Sequence, residues 1–195
     1  LICHCSGAMT SNIFSGITEA GAFGYSIHPM YAISSTTKSY REMQKCFFTV
    51  EGAEEWGNKL CRFIRLLGND CVLLSTENKT KYHAAAVFAS NLVNGLYGSA
   101  VSLLEDCGFE EKQAEQALVP LFMGNASHIA EDGPVAGLTG PIERNDTTTV
   151  KKHLNVLDAN EKHIYISVSE AVLALAEQKY SDRDYSEMKK ILSGQ

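Results

Sequence analysis

The chain has 195 residues, a mass of 21.3 kDa, 45% hydrophobic and 21% charged residues, and 17 basic against 23 acidic side chains, a formal net charge of −6. That apolar fraction excludes global disorder, because it is enough to offset chain entropy. The acidic balance argues against a nucleic-acid partner, which calls for a basic face.

The chain opens on Leu1 rather than Met, and LICHC (1–5) reads as a buried strand; the expectation is a fragment, with sequence missing upstream. No signal or transit pattern is read in these residues. Nor is any uncharged apolar run read as approaching the roughly 18 residues of a membrane span. The expected setting is therefore cytoplasmic, with no membrane partner.

Further strands are expected at YSIH (25–28), CFFTV (46–50) and CVLLS (71–75), short apolar runs rich in β-branched and aromatic residues and bounded by turn residues. Between the last two, Trp56, Leu60, Phe63, Ile64 and Leu67 recur at helical spacing, and Gly68-Asn69 supplies a stop. Strands separated by a helix predict an α/β layer with some parallel pairing. From Thr80 onward the pattern is helical. Residues 81–107 are apolar on nearly every side and predict one buried helix about 40 Å long, ended by Gly108. A second helix is expected over about 110–130, kinked at Pro120 and closed by Gly133-Pro134. The loop VAGLTGPIERND leads to a third helix near Thr147, followed by helices over 160–178 and 185–192.

The six cysteines form no dense framework and read as reduced, buried thiols. Cys3-His4-Cys5 has no second cluster at ligand spacing, so no metal is expected.

Four places can carry chemistry. Ser6-Gly7-Ala8 follows a strand, where ligands of open α/β sheets bind, although a plain strand-to-helix turn reads the same way. His28-Pro29-Met30 stands at another strand end: the histidine can donate or move a proton, or be a loop histidine satisfied by backbone. Lys81-Tyr82-His83 opens the long helix, with Ser90, Asn91 and Asn94 further along. Burial there would lower the pKa of Lys81, and the polar stripe reads equally as interhelical hydrogen bonding. Finally, Thr139-Gly140-Pro141 and Asp146-Thr147-Thr148-Thr149 surround a helix start, whose free N–H groups suit an anion or simple capping. No G-x-G-x-x-G follows any strand, and no P-loop is present.

HCSGA, YSIHPM, FFTVEG, YHAAAVFASN and LTGPIERNDTTTVKKHL, in this order, resemble one group. It is the Rossmann-like oxidoreductase family related to pyrroline-5-carboxylate reductase, 6-phosphogluconate dehydrogenase and deazaflavin-dependent NADP oxidoreductase. The resemblance implies an α+β chain. Residues 1–77 would be the C-terminal remnant of a Rossmann NAD(P)-binding domain whose glycine fingerprint lies upstream. Residues 78–195 would be a helical dimerisation and substrate domain like the 6-phosphogluconate dehydrogenase C-terminal domain. It further implies NADP or NAD as cofactor of the full-length protein, a homodimer and a small-molecule substrate. Ser6, Gly7, His28 and Pro29 would lie near the nicotinamide. Lys81 resembles the acid/base lysine of those relatives, with His83 beside it. They carry asparagine four residues later, where this chain has Ala85; Asn91 is the candidate for that role. Thr139, Gly140, Asp146, Thr148 and Thr149 resemble a substrate-carboxylate loop, with Asn145 standing where glycine is usual. The expected activity is hydride transfer to or from a small substrate, one bearing a carboxylate among the options. The competing reading is a non-catalytic dimerisation or ligand-sensing module; a plain helical bundle leaves the polar loops unexplained.

Overall fold

A computed structural model describes residues 1–33, 35, 43, 44 and 46–194. The chain divides into two compact units, Leu1–Leu96 and Tyr97–Gln195.

The first unit is built on four strands in the order β1-β2-β3-β4: β1 Ile2–His4, β2 Gly24–Met30, β3 Phe47–Gly52 and β4 Cys71–Leu73. β1 pairs parallel with β2, β2 antiparallel with β3, and β3 parallel with β4. The last pairing needs a crossover, and helix α1, Glu54–Leu66, provides it. No side chain at Ala53 caps α1. The Tyr25 hydroxyl takes that role from β2, accepting from Trp56 N at 3.2 Å and donating to Ala53 O at 2.6 Å. Gly68, at φ 92°, then turns the chain toward β4.

Alternation along the strands gives the sheet two chemically opposite faces. Tyr25 and Val50 point with Cys61 and Ile64 of α1 and with Cys71 into an apolar core, flanked by Ile27, Phe48, Trp56 and Leu73. The other face carries Ser26 opposite Glu51 and His28 opposite Thr49 in the β2–β3 register. A short turn, Thr76–Asn78, then leads into α2, Lys79–Phe88, which begins over that polar face.

Several sequence expectations change here. LICHC is not buried: Leu1, Ile2, Cys3 and Cys5 are exposed, because β1 has a neighbour on one side only. β2 runs through Met30, so His28-Pro29 lies within a strand rather than at its end. The single long helix is two, α2 and α3, Asn91–Asp106. The Ser90 hydroxyl donates to Ala86 O at 2.6 Å, and this back-bonding competes with the helical ladder at the break.

In the second unit, α4 spans Glu111–Ala136, α5 Thr147–Val156, α6 Ala159–Lys179 and α7 Ser186–Leu192. Gly108, at φ 91°, ends α3 as expected. Pro120 keeps helical dihedral angles; the break in α4 falls at Gly133, with φ 81° and ψ 168°. Glycine tolerates that conformation, and the Pro134 ring disfavours the helical one for the residue before it. Ile142, Val150, Leu173, Ala176, Tyr185, Met188 and Leu192 form this unit's core.

The helical run Thr76–Asp106 is long and apolar enough, by length and composition, to cross a membrane, and none of its most apolar stretch is buried. This corrects the expectation that no such run exists: no residue between His83 and Glu105 carries a formal charge. The helix of a soluble protein whose apolar side meets a partner passes the same criterion. Large apolar side chains are exposed on α2 and also on α4: Phe88 of α2 is 70% exposed and Leu121 of α4 is 71% exposed.

Candidate functional site

Lysine, tyrosine and histidine at positions i, i+3 and i+4 share one side of a helix. Lys79, Tyr82 and His83 stand in that relation at the start of α2, and the helix lays them on the polar face of the sheet. Lys79 is 0% exposed. Its Nζ donates to Ser26 Oγ at 2.7 Å, and Ser26 Oγ donates onward to Ser6 O at 2.9 Å. The Tyr82 ring lies 5.5 Å from the ammonium. Burial pushes Lys79 below the ordinary lysine range, while the charge of Glu51 works the other way.

Glu51 is also fully buried. Its carboxylate accepts from Ser11 N at 2.8 Å, Ser11 Oγ at 2.9 Å and Thr76 Oγ1 at 2.8 Å. A buried carboxylate needs such donors. Here they come from two separate segments, so Glu51 ties β3 to the turn after β1 and to the approach to α2.

Two of the unit's histidines differ in what they leave unspent. His4 is satisfied at both nitrogens: Nδ1 accepts from Ser6 N at 3.1 Å, and Nε2 lies 3.2 Å from Thr10 O. It pins the turn after β1 and has no nitrogen to spare. His28 Nδ1 lies 2.6 Å from Tyr82 Oη, the rings meeting edge-to-face at 5.7 Å. Burial lowers the pKa of His28, with Lys79 and then His83 adding to the effect. The ring is therefore neutral at pH 7. His83 Nδ1 is buried and without a hydrogen-bond partner among the described residues. A Cβ on Gly7 would stand 2.8 Å from His28 Nε2 and 3.1 Å from His83 Nδ1. Both imidazoles thus converge on one glycine that has no room for a side chain. A cavity of about 390 Å³ opens beside them, lined by His28, His83 and the small side chains Ala85, Ala86 and Ala89, with Ser90 and Asn91 among its polar groups.

The structure brings together Ser6, Gly7, His28 and His83 of the candidates read from sequence. Pro29 is buried and alternates to the opposite side of β2 from His28, away from this face. Lys81 is exposed, so the burial argument made for it fails; the lysine that meets the condition is Lys79, two residues earlier. The i, i+3, i+4 spacing of Lys79, Tyr82 and His83 was the signal available in the sequence. The same shift puts His83 four residues after the buried lysine. Asn91 is exposed at the cavity's edge, and its Oδ1 lies 3.1 Å from Ser90 Oγ.

The loop of the second unit is occupied by its own acid. Asp146 caps α5, accepting from Thr149 N at 3.0 Å and from Thr149 Oγ1 at 2.7 Å. These two bonds hold its pKa below the usual aspartate value. The expectation that the Thr149 hydroxyl is free for an anion is therefore corrected: the neighbouring carboxylate uses it. Glu187 brings a second carboxylate to α5, where Lys151 pairs with it at 2.8 Å. Thr139 and Thr148 are exposed, and Gly140 adopts φ 107°. Asn145 takes φ 59°, a left-handed conformation that asparagine tolerates, which explains how it stands where glycine is usual. Its Nδ2 donates to Asp184 O at 2.9 Å.

The family described as a domain of unknown function, DUF2520, matches residues 46–172, well over half of the chain, and the chain belongs to it. No curated protein matches. Among solved structures, protein TM1727 from Thermotoga maritima is 25% identical with a TM-score of 0.77; the match covers 92% of this chain and 70% of that one. The putative NADP oxidoreductase BF3122 from Bacteroides fragilis is 22% identical with a TM-score of 0.62, covering 92% of this chain and 64% of that one. This likeness shows the fold: a mixed α/β, Rossmann-like architecture related to that of an NADP oxidoreductase.

Proposed function

We propose that this member of the DUF2520 family is the C-terminal portion of an NAD(P)-dependent oxidoreductase acting on a small substrate. The observation that carries the reading is the convergence of His28 Nε2 and His83 Nδ1 on Gly7 beside a cavity, above a buried lysine, in a chain with this fold. Two imidazole nitrogens with no partner among the described residues, beside a small apolar cavity, suit recognition of one polar reacting group on an otherwise small molecule.

The residues fit one end of a dinucleotide. Gly7, buried and without space for a Cβ, gives the turn after β1 a close backbone approach beside His28. No glycine-rich phosphate cradle occurs in the sequence, so that part of the cofactor site is assigned to chain upstream of Leu1. A bound nicotinamide would donate or accept the hydride. This chain's own residues do the remainder. His28, held neutral, donates a hydrogen bond to the reacting oxygen or nitrogen, as a neutral imidazole does when its pKa is depressed. His83 takes or returns the proton. Lys79 stays behind them, its charge adding to the burial that keeps His28 uncharged.

The exposed apolar side chains of α2, α3 and α4 support a homodimer in which the partner covers them, with an interface of about 2,000 Å² or more.

The test uses the full-length protein, upstream sequence included. NADPH and NADH titrations by fluorescence come first, followed by a screen of keto and imino acids for nucleotide oxidation. His83→Ala is expected to lower kcat by about 10²-fold or more while nucleotide affinity holds. Absence of nucleotide binding would refute the proposal in favour of a dimerisation or ligand-sensing module.

A further inference from the structure

The direction of one hydrogen bond decides what His28 offers a ligand. Its Nδ1 lies 2.6 Å from Tyr82 Oη, so either the phenol donates to the ring or the ring donates to the phenol. Burial raises the pKa of Tyr82 and lowers that of His28, so both partners are neutral. A phenol is a better acid than a neutral imidazole N–H, which favours donation by Tyr82.

We infer that Tyr82 is a positioning residue that locks His28 as the Nε2–H tautomer. Beside Gly7 it then presents a hydrogen-bond donor, and the group it recognises is an acceptor: the oxygen of a carbonyl or the nitrogen of an imine on a small molecule. A charged donor such as an ammonium is rejected. Calling that acceptor a substrate rests on the oxidoreductase reading; the tautomer does not.

The experiment is nitrogen NMR of the intact protein labelled at histidine, at pH 8, where His28 is neutral. The expected spectrum places His28 Nε2 at the protonated, pyrrole-like end of the range and Nδ1 at the unprotonated, pyridine-like end. Tyr82→Phe removes the donor and leaves the ring in place; both resonances should move toward the mixed-tautomer average. The wild-type spectrum alone serves as the test if Tyr82→Phe fails to fold, which the dispersion of the amide spectrum reports. A wild-type His28 protonated at Nδ1, or one whose tautomer ignores Tyr82→Phe, overturns the inference. Neither readout needs nucleotide or turnover. A locked tautomer in a protein that binds no nucleotide would therefore sink the oxidoreductase reading and spare this one.

Discussion

Replacing Glu51 with glutamine tests the polar face of the sheet most directly. The substitution keeps shape and removes one charge. In the native chain one carboxylate oxygen accepts from Ser11 N and the other from Ser11 Oγ and Thr76 Oγ1. A glutamine offers one carbonyl oxygen. Whichever way it turns, its NH₂ group faces at least one of those donors. If the carbonyl keeps the two hydroxyls, Ser11 N is left buried against a second donor, at about 1–3 kcal/mol. The remaining bonds lose their charge assistance, each having contributed about 1.5–3 kcal/mol. Lys79 loses the carboxylate that favours its charged form. Breaking a buried charge arrangement by removing one member costs about 3–5 kcal/mol, and the expected loss falls in that range. With a urea slope of roughly 2–3 kcal/mol per molar, the midpoint should drop by about 1–2 M. Lys79→Met should cost less, because Glu51 keeps its three donors. The double variant should cost at least about 1 kcal/mol less than the two singles added together, since the methionine no longer needs a counter-charge. A loss below about 1 kcal/mol for Glu51→Gln, or strict additivity, would show that Glu51 and Lys79 do not form one electrostatic unit.

Lys79 also sets a pH signature. Its folded pKa lies below the ordinary value of about 10.4, so between the two the unfolded chain binds more protons and stability rises with pH. Subtracting the Lys79→Met urea curve from the wild-type curve over alkaline pH isolates that rise; a flat difference would refute the burial argument. Gly7→Ala places a Cβ 2.8 Å from His28 Nε2 and should destabilise by about 1–3 kcal/mol while shifting the His28 and His83 NMR resonances. Unperturbed imidazole signals would mean that the turn relaxes instead. Asn145→Gly keeps the left-handed backbone and loses only the bond to Asp184, so it should cost about 1 kcal/mol; Asn145→Ala should cost more, and equal losses in thermal unfolding would deny the backbone a role. Light scattering at micromolar concentration should report a dimer, and a stable, well-folded monomer would defeat that proposal.

The helical spacing of Trp56, Leu60, Phe63 and Ile64 set α1, and Gly68 and Gly108 placed two of the chain's stops. Asp146 before three threonines marked an N-cap, and the alternating β-branched and aromatic runs marked β2 and β3. These are local rules, in which the residues that make the signal are also the ones that make the contact. Register is a different matter. Ser26 meets Glu51 and His28 meets Thr49 because β2 and β3 pair antiparallel in one alignment. A shift of either strand by one residue would send its two polar residues to the apolar side. Lys79 and Lys81 are equally plausible in the sequence; only the seating of α2 over the sheet buried the first and exposed the second. Likewise the uncharged stretch after His83 announced burial, and its most apolar part finds none among the described residues. Hydrophobic patterning states that a surface is to be covered, and tertiary or quaternary structure decides by what.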